Sequence, residues 1–542
     1  MKPSQQFPSA PSPEAAIPSG AGAPFYASAV ALHLEGKRSE ALAELATALR
    51  HKEGLTSAEL SEIYSAIGHI QFELEKFEDA AEAYTRMLEV DSGHSAACFN
   101  LALCWEALGR WQLAADQFER ALAIDPERQE AQLGLAACNL QLGATREAIE
   151  SYDRCLRNDP DLEAAQFGKG VALQLQKRYS EAAEMYRRIL KQNPGSEECL
   201  SNAISVSGQL EDYAAVREFA ARLLAIRPDA TVALEGLASA AFAAGEHGEA
   251  AERCAALVKA SPDSFEGWFN LGVACQSLQR YAQAADAYAQ AARVRPQESQ
   301  LYINLGIVYQ EAGDLPHSRE AYQKALQLTP ESTTALWNLA LLVEKQGQTA
   351  EAQQLYARLA EKSPDWDDAR FRLGCTRLEL ADYRGAADAF EACLRKRENW
   401  PEARLNAAIA HWKLGDLERA RDGFEKTLTL EPESTPALRG LAGIAVERSA
   451  FSEALELHSR LIAMGERTSE LLYNTGLLWQ KSGQDEKAVP LYEEALSCTP
   501  DFPEALLNLG IALQALGREA EARVHWRKAI EANPELAHGY FQ

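Results

Sequence analysis

Basic residues are scarce: Lys and Arg number 54 against 79 Asp and Glu in 542 residues, leaving a formal net charge of −25. A surface of that sign repels phosphates, which argues against nucleic acid or an anionic membrane as a partner. No apolar run approaches the roughly 18 residues that a spanning helix needs, so no direct membrane insertion is expected. The first 24 residues hold six prolines, one Lys and no apolar run. They lack the hydrophobic segment of a secretory leader, and residues 1–24 are expected to be a disordered Pro-rich tail. The ten cysteines include no CxxC pair, and most replace small core residues of the pattern described below, so a reducing, cytoplasmic setting is the simplest expectation.

Catalytic signatures are missing too. The chain has no G-x-S-x-G, G-x-x-x-x-G-K-[ST], H-E-x-x-H or dinucleotide glycine fingerprint, so nucleophile elbow, phosphate loop, zinc protease and nucleotide sites all lack their starting residues. The ten histidines are scattered along the chain, and His69, His411 and His458 are taken as structural or surface residues. No catalytic residue, cofactor or metal is expected. With 47% hydrophobic and 25% charged residues, the composition still demands an extensive buried core.

What the sequence does contain is a period. Prolines at 126, 160, 194, 228, 262, 296, 330 and 364, then 432, 500 and 534, fall on one 34-residue grid, with Ser92, Glu398 and Glu466 at the remaining points. Setting that proline at position 32 frames fourteen units without insertion, from 61–94 to 503–536. Position 8 is Gly or Ala in thirteen units, with Ile204 the exception, and position 20 is Ala in twelve. Two small columns let paired helices approach closely, and Leu at position 7 with Tyr, Phe or Trp at position 24 fills the space around them. Apolar residues recur at three- and four-residue spacing, Gly often interrupts at position 15, and Pro follows the second helix, so each unit is a helix–turn–helix hairpin. Units 197–230 and 435–468 depart most and are expected to pack loosely or bend. Pro490 falls inside a second helix and is expected to kink it, whereas Pro316 lies near a helix start.

These columns resemble the tetratricopeptide repeat family, most closely in unit 299–332 through Tyr302, Leu305, Gly306, Tyr309, Ser318, Tyr322, Ala325 and Pro330. The resemblance covers residues 61–536, with a degenerate N-terminal hairpin over 25–60. It implies an all-α fold, an α-solenoid in which antiparallel helix hairpins of 34-residue period form a right-handed superhelix, with the first helices lining a concave groove. Protein or peptide ligands are the partners it implies.

Position 6 is the column that points to binding, because it holds Asn100, Asn202, Asn270, Asn304, Asn338, Asn406, Asn474 and Asn508. A carboxamide offers a donor and an acceptor together and can pair with one peptide unit of an extended chain. The column resembles the asparagine ladder of the repeat arm of O-linked N-acetylglucosamine transferase and of kinesin light chain. Its bland counterpart is that Asn is simply common at this position of the repeat. Phe269, Trp337 and Phe371 at position 5 lie near the same face and either clasp ligand side chains or are partly buried between helices. Arg372, with Lys345, Lys413 and Arg439 on neighbouring first helices, forms either a carboxylate-binding pocket or a set of surface charges paired with nearby Glu.

Residues 537–542 begin a further helix, including Tyr540, without a polar cap after it. The expectation is a fragment of a longer protein or self-association through an uncapped C-terminal edge. The functional expectation is therefore a non-enzymatic interaction scaffold binding extended peptide segments. The alternatives are the targeting arm of an O-GlcNAc-transferase-like glycosyltransferase lacking its catalytic domain, and a self-assembling structural scaffold.

Overall fold

The computed structural model describes residues 23–535, so most of the expected tail and the expected further helix at 537–542 lie outside the described residues. The helix Ala23–Leu34, the first among the described residues, takes in the last two residues assigned to that tail. Pro24 suits this place, since the first turn of a helix has no partner for its N–H anyway.

Among the described residues the secondary structure is helical throughout, and the chain divides into two compact units at Arg280–Tyr281, each built of fifteen α-helices. Helices of thirteen residues begin every 34 residues from Ser95 to Pro503, and their partners begin every 34 residues from Phe77 to Glu519. The helix Ser57–Glu73 starts early because Thr56 caps it, with a capping box closed by Glu59.

The turn within each hairpin needs one left-handed residue to end the first helix. Gly347 supplies it at φ 74°, and where the column lacks glycine the backbone keeps the same conformation, as at Lys177 (φ 59°) and Ala381 (φ 62°). The position-24 ring then fills the hairpin. Tyr84, Phe118, Tyr152, Tyr186, Tyr322, Phe390 and Tyr492 are fully buried, and a Cβ added to Gly306 would lie 2.3 Å from the Tyr322 ring. The small column is thus a steric requirement of the ring it faces.

The same rings also press on the next hairpin. A Cβ at Gly134 would meet Phe118 at 2.4 Å, one at Gly168 would meet Tyr152 at 2.3 Å, and one at Gly440 would meet Phe424 at 2.4 Å. All three glycines are at position 6, so the column carrying the asparagines runs along the seam between successive hairpins.

In the first unit, one apolar cluster runs from Ala136 to Ala240 and includes Leu200, Ile204, Phe219 and Leu223. The segment 197–230, where loose packing was expected, therefore contributes to continuous core. Its Ile204 and Val216 replace the usual small residues against Gly236, where a Cβ would lie 2.7 Å and 3.1 Å from them. In the second unit, the helix Asp485–Cys498 continues past Pro490, which lies on its exposed side within the first two turns. Pro316 occupies the first turn of Leu315–Leu328, as expected.

Candidate functional site

The asparagines of position 6 do not share one environment. Asn100 is 3% exposed and is withdrawn from any ligand. In the second unit Asn304 donates from Nδ2 to the Tyr288 hydroxyl at 3.4 Å and accepts at Oδ1 from Gln300 at 3.0 Å. Asn508 donates to the Tyr473 hydroxyl at 2.8 Å, and Asn406 faces Cys375 Sγ at 3.9 Å. These carboxamides brace neighbouring hairpins. By contrast, among the described residues no hydrogen bond engages the carboxamides of Asn202, Asn270, Asn338 or Asn474, of which Asn474 is exposed and the others half-buried. Asn270 belongs to the first unit, Asn304 and Asn338 to the second.

The position-5 aromatics have internal partners. Trp337 stacks on Trp366 with ring centroids 4.9 Å apart, Phe371 stacks on Trp400 at 4.8 Å, and Phe269 stacks on Phe265 at 5.7 Å. Trp366 and Trp400 are the N-cap residues of the following first helices. The rings of Trp337 and Phe371 therefore close the gap between hairpins rather than standing free to clasp a ligand.

Two of the four residues of the expected carboxylate-binding pocket are ion-paired. Arg372 Nη1 donates to Glu344 Oε1 at 3.2 Å. Arg439 binds Glu466 through Nε and Nη2 at 2.8–3.0 Å. Lys345 and Lys413 are exposed, and the Lys413 ammonium lies 5.9 Å over the Trp412 ring. Both guanidinium groups thus hold carboxylates of their own chain, in line with the reading of these residues as paired surface charges.

A cleft does exist beside Arg439. Glu466 replaces the grid proline, the preceding helix ends early at Ala463, and Gly465 turns the chain at φ 92°. The cleft has a volume of about 720 Å³ and lies between the helices Thr435–Glu447 and Ser469–Lys481. Ala442, Val446, Leu471 and Leu477 supply apolar wall, and Arg439, Glu447, Glu470, Asn474 and Lys481 supply polar groups of both signs. The departure of 435–468 from the repeat pattern thus coincides with the cleft.

Cysteine and histidine side chains fall into two groups. Eight of the ten free cysteines are buried, and burial pushes the thiols of Cys104, Cys138, Cys199 and Cys254 up to about 12. Thiols so unwilling to ionise are packing residues and not nucleophiles. His411 Nε2 meets Glu391 Oε1 at 2.9 Å, and His458 Nδ1 meets the Thr475 hydroxyl at 2.9 Å, so both are satisfied structural residues. His69 departs from the expectation, because the fold brings it to His33 and to Glu73, one turn further along its own helix.

Tetratricopeptide repeat models match residues 65–129, 108–163, 140–197, 235–300, 303–365, 371–435, 405–468 and 503–536, and a TPR repeat model matches 476–517. An α-solenoid with these columns is a helical-hairpin repeat protein. The chain belongs to the tetratricopeptide repeat family. No curated protein matches it. Among solved structures, it is similar to Naa15/Naa10 bound to HypK-THB, at 14% identity over 95% of this chain and 80% of that one, with a TM-score of 0.35. It is also similar to the APC/C hetero-tetramer Cut9-Hcn1, at 12% identity over 84% of this chain and 96% of that one, with a TM-score of 0.30. A tetratricopeptide repeat protein from Parabacteroides merdae is 21% identical over 47% of this chain and 98% of its own, with a TM-score of 0.32. Overlap at this level says nothing about binding.

Proposed function

We propose that the chain is a non-enzymatic scaffold that binds extended peptide segments of partner proteins along its first helices. The observation that carries this is the split of the position-6 column. Asn304 and Asn508 are spent on tyrosine hydroxyls, whereas Asn202, Asn270, Asn338 and Asn474 have no hydrogen bond among the described residues. A carboxamide without an internal partner can pair with the N–H and C=O of a ligand backbone and asks little of the ligand's sequence. In the second unit, the cleft beside Asn474 offers apolar wall to a ligand side chain and polar groups of both signs at its edge.

Family membership supports protein partners in general, and the peptide-binding mode is the proposed refinement. No helix among the described residues is long and apolar enough to cross a membrane. A cytoplasmic setting for the chain is proposed on the ground that all ten cysteines are free. The test is a pull-down from the native host with the wild type and with Asn338→Ala combined with Asn474→Ala, followed by peptide mapping of what is retained. Loss of the mapped segment in the variant, with unchanged helicity, supports groove binding, and equal retention removes it.

Self-association is a second proposal, motivated by Val524 at 51% exposure and Ile530 at 43% on the helix Glu519–Ala532. Sedimentation at rising concentration tests it, and a constant monomer would exclude it.

A further inference from the structure

We propose that His33, His69 and Glu73 form a binding site for a late first-row divalent cation of the Zn²⁺ class, tying the helix Ala23–Leu34 to the helix Ser57–Glu73. One ligand atom from each of the three residues lies within 4.8 Å of the others. His33 Nε2 is 3.9 Å from Glu73 Oε2, and His69 Nε2 is 3.4 Å from Glu73 Oε1. Ligands about 2.0–2.2 Å from a tetrahedral zinc stand about 3.3–3.6 Å apart, so the His69–Glu73 pair already has that spacing and the His33 ring must be drawn in to close on an ion.

The chemistry of the donors selects the metal. Two imidazoles and one carboxylate suit zinc and its neighbours, whereas magnesium and calcium ask for oxygen alone. Arg38 Nε donates to Glu73 Oε2 at 2.7 Å, which fixes the carboxylate and leaves Oε1 turned towards His69. An outer partner that orients a ligand in this way is a usual part of a metal site, and its positive charge opposes the ion. Nδ1 of both rings is buried without a hydrogen-bond partner, so neither imidazole is committed elsewhere through that atom.

The site is reachable. A cleft of about 240 Å³, walled by Tyr26, Val30, Leu34 and Ala66, has both histidines in its lining. That leaves room for a water or an added donor in the fourth coordination position, since a water occupies about 30 Å³ in the liquid. Three protein ligands with an open fourth position make an exchangeable site. Its place in the fold gives it a consequence. His33 lies at the end of Ala23–Leu34, in the hairpin that departs from the repeat pattern, and His69 and Glu73 lie in the last turns of Ser57–Glu73. An ion bound only in the folded state would hold this end of the solenoid closed.

The test uses the full chain without an affinity tag, freed of metal by chelator, and titrated calorimetrically with Zn²⁺ and spectroscopically with Co²⁺. The expected result is one site per chain, visible absorption bands of four-coordinate cobalt, and a rise in the unfolding temperature that chelator reverses. His33→Ala and Glu73→Gln should each weaken Zn²⁺ binding at least about tenfold and abolish the cobalt bands. Glu73→Gln keeps the shape of the side chain and decides the matter if His33→Ala fails to fold. No uptake by the wild type, or equal uptake by wild type and Glu73→Gln, would overturn the site.

Discussion

Glu344 stands between two residues of different hairpins, accepting Arg372 Nη1 on one carboxylate oxygen at 3.2 Å and the Tyr356 hydroxyl on the other at 2.5 Å. Arg372 is thereby an internal brace. Arg372→Ala is expected to leave peptide acids and their amides binding alike, and to cost less than about 1 kcal/mol because the pair is half exposed. Tyr356→Phe removes a hydrogen bond between a buried hydroxyl and a charged group and should cost about 1.5–3 kcal/mol. Urea denaturation of both variants checks the order of the two losses.

Two substitutions of opposite direction test the packing of the hairpins. Gly306→Ala puts a methyl 2.3 Å from the Tyr322 ring and should destabilise by about 1–3 kcal/mol through overpacking. Ala381→Gly relieves a left-handed alanine at φ 62° and should stabilise by about 1 kcal/mol. Opposite shifts of the denaturation midpoint at unchanged slope are the expected outcome.

Thiol reactivity separates core from surface. Cys498 is exposed, Cys375 is half-buried and the other eight cysteines are buried. Titration with a thiol-specific dye should give one rapid equivalent in the native protein, assigned to Cys498 by its loss in Cys498→Ser, and ten equivalents after unfolding.

His458 makes stability depend on pH. Burial lowers it from its ordinary value of 6.5. It lines the cleft that also holds Arg439, Glu447, Glu470 and Lys481. The unfolded state then binds the proton more tightly than the folded state. This contribution is therefore complete above about pH 6.5 and is lost as pH falls through the depressed folded value. Burial also lowers His69 and His525, which act in the same direction. The free energy of unfolding should fall between about pH 7.5 and 5.5, and His458→Asn should narrow the fall without abolishing it.

The repeat was legible because a hairpin that cannot bury its own apolar face must match its neighbours, so Gly306, Tyr322 and Ala325 recur in phase along the chain. The left-handed turn was legible at Gly347 and carried by period alone at Lys177. What escaped sequence reasoning were contacts set by side-chain direction. Nothing in the pattern says that Arg439 reaches Glu466, because that carboxylate stands where most units have proline. His33 and His69 meet across a hairpin that is out of phase with the repeat, and the i,i+4 pair His69–Glu73 was the local signal that could have found them. The asparagine column was visible, but its division into braced and unengaged members was not. That division depends on whether a tyrosine hydroxyl arrives from the neighbouring hairpin, as Tyr288 does for Asn304.

The most direct measurement is calorimetric affinity for a mapped partner peptide, compared between wild type and the combined Ala variant of Asn338 and Asn474, both of the second unit, with Asn508→Ala as the control. Binding by the combined variant should be at least about tenfold weaker, as expected when several hydrogen bonds to the ligand backbone are lost. Asn508→Ala should keep full affinity with reduced stability, because the Asn508 carboxamide is spent on Tyr473. Equal affinity of wild type and combined variant, both fully helical, would contradict the proposed peptide binding.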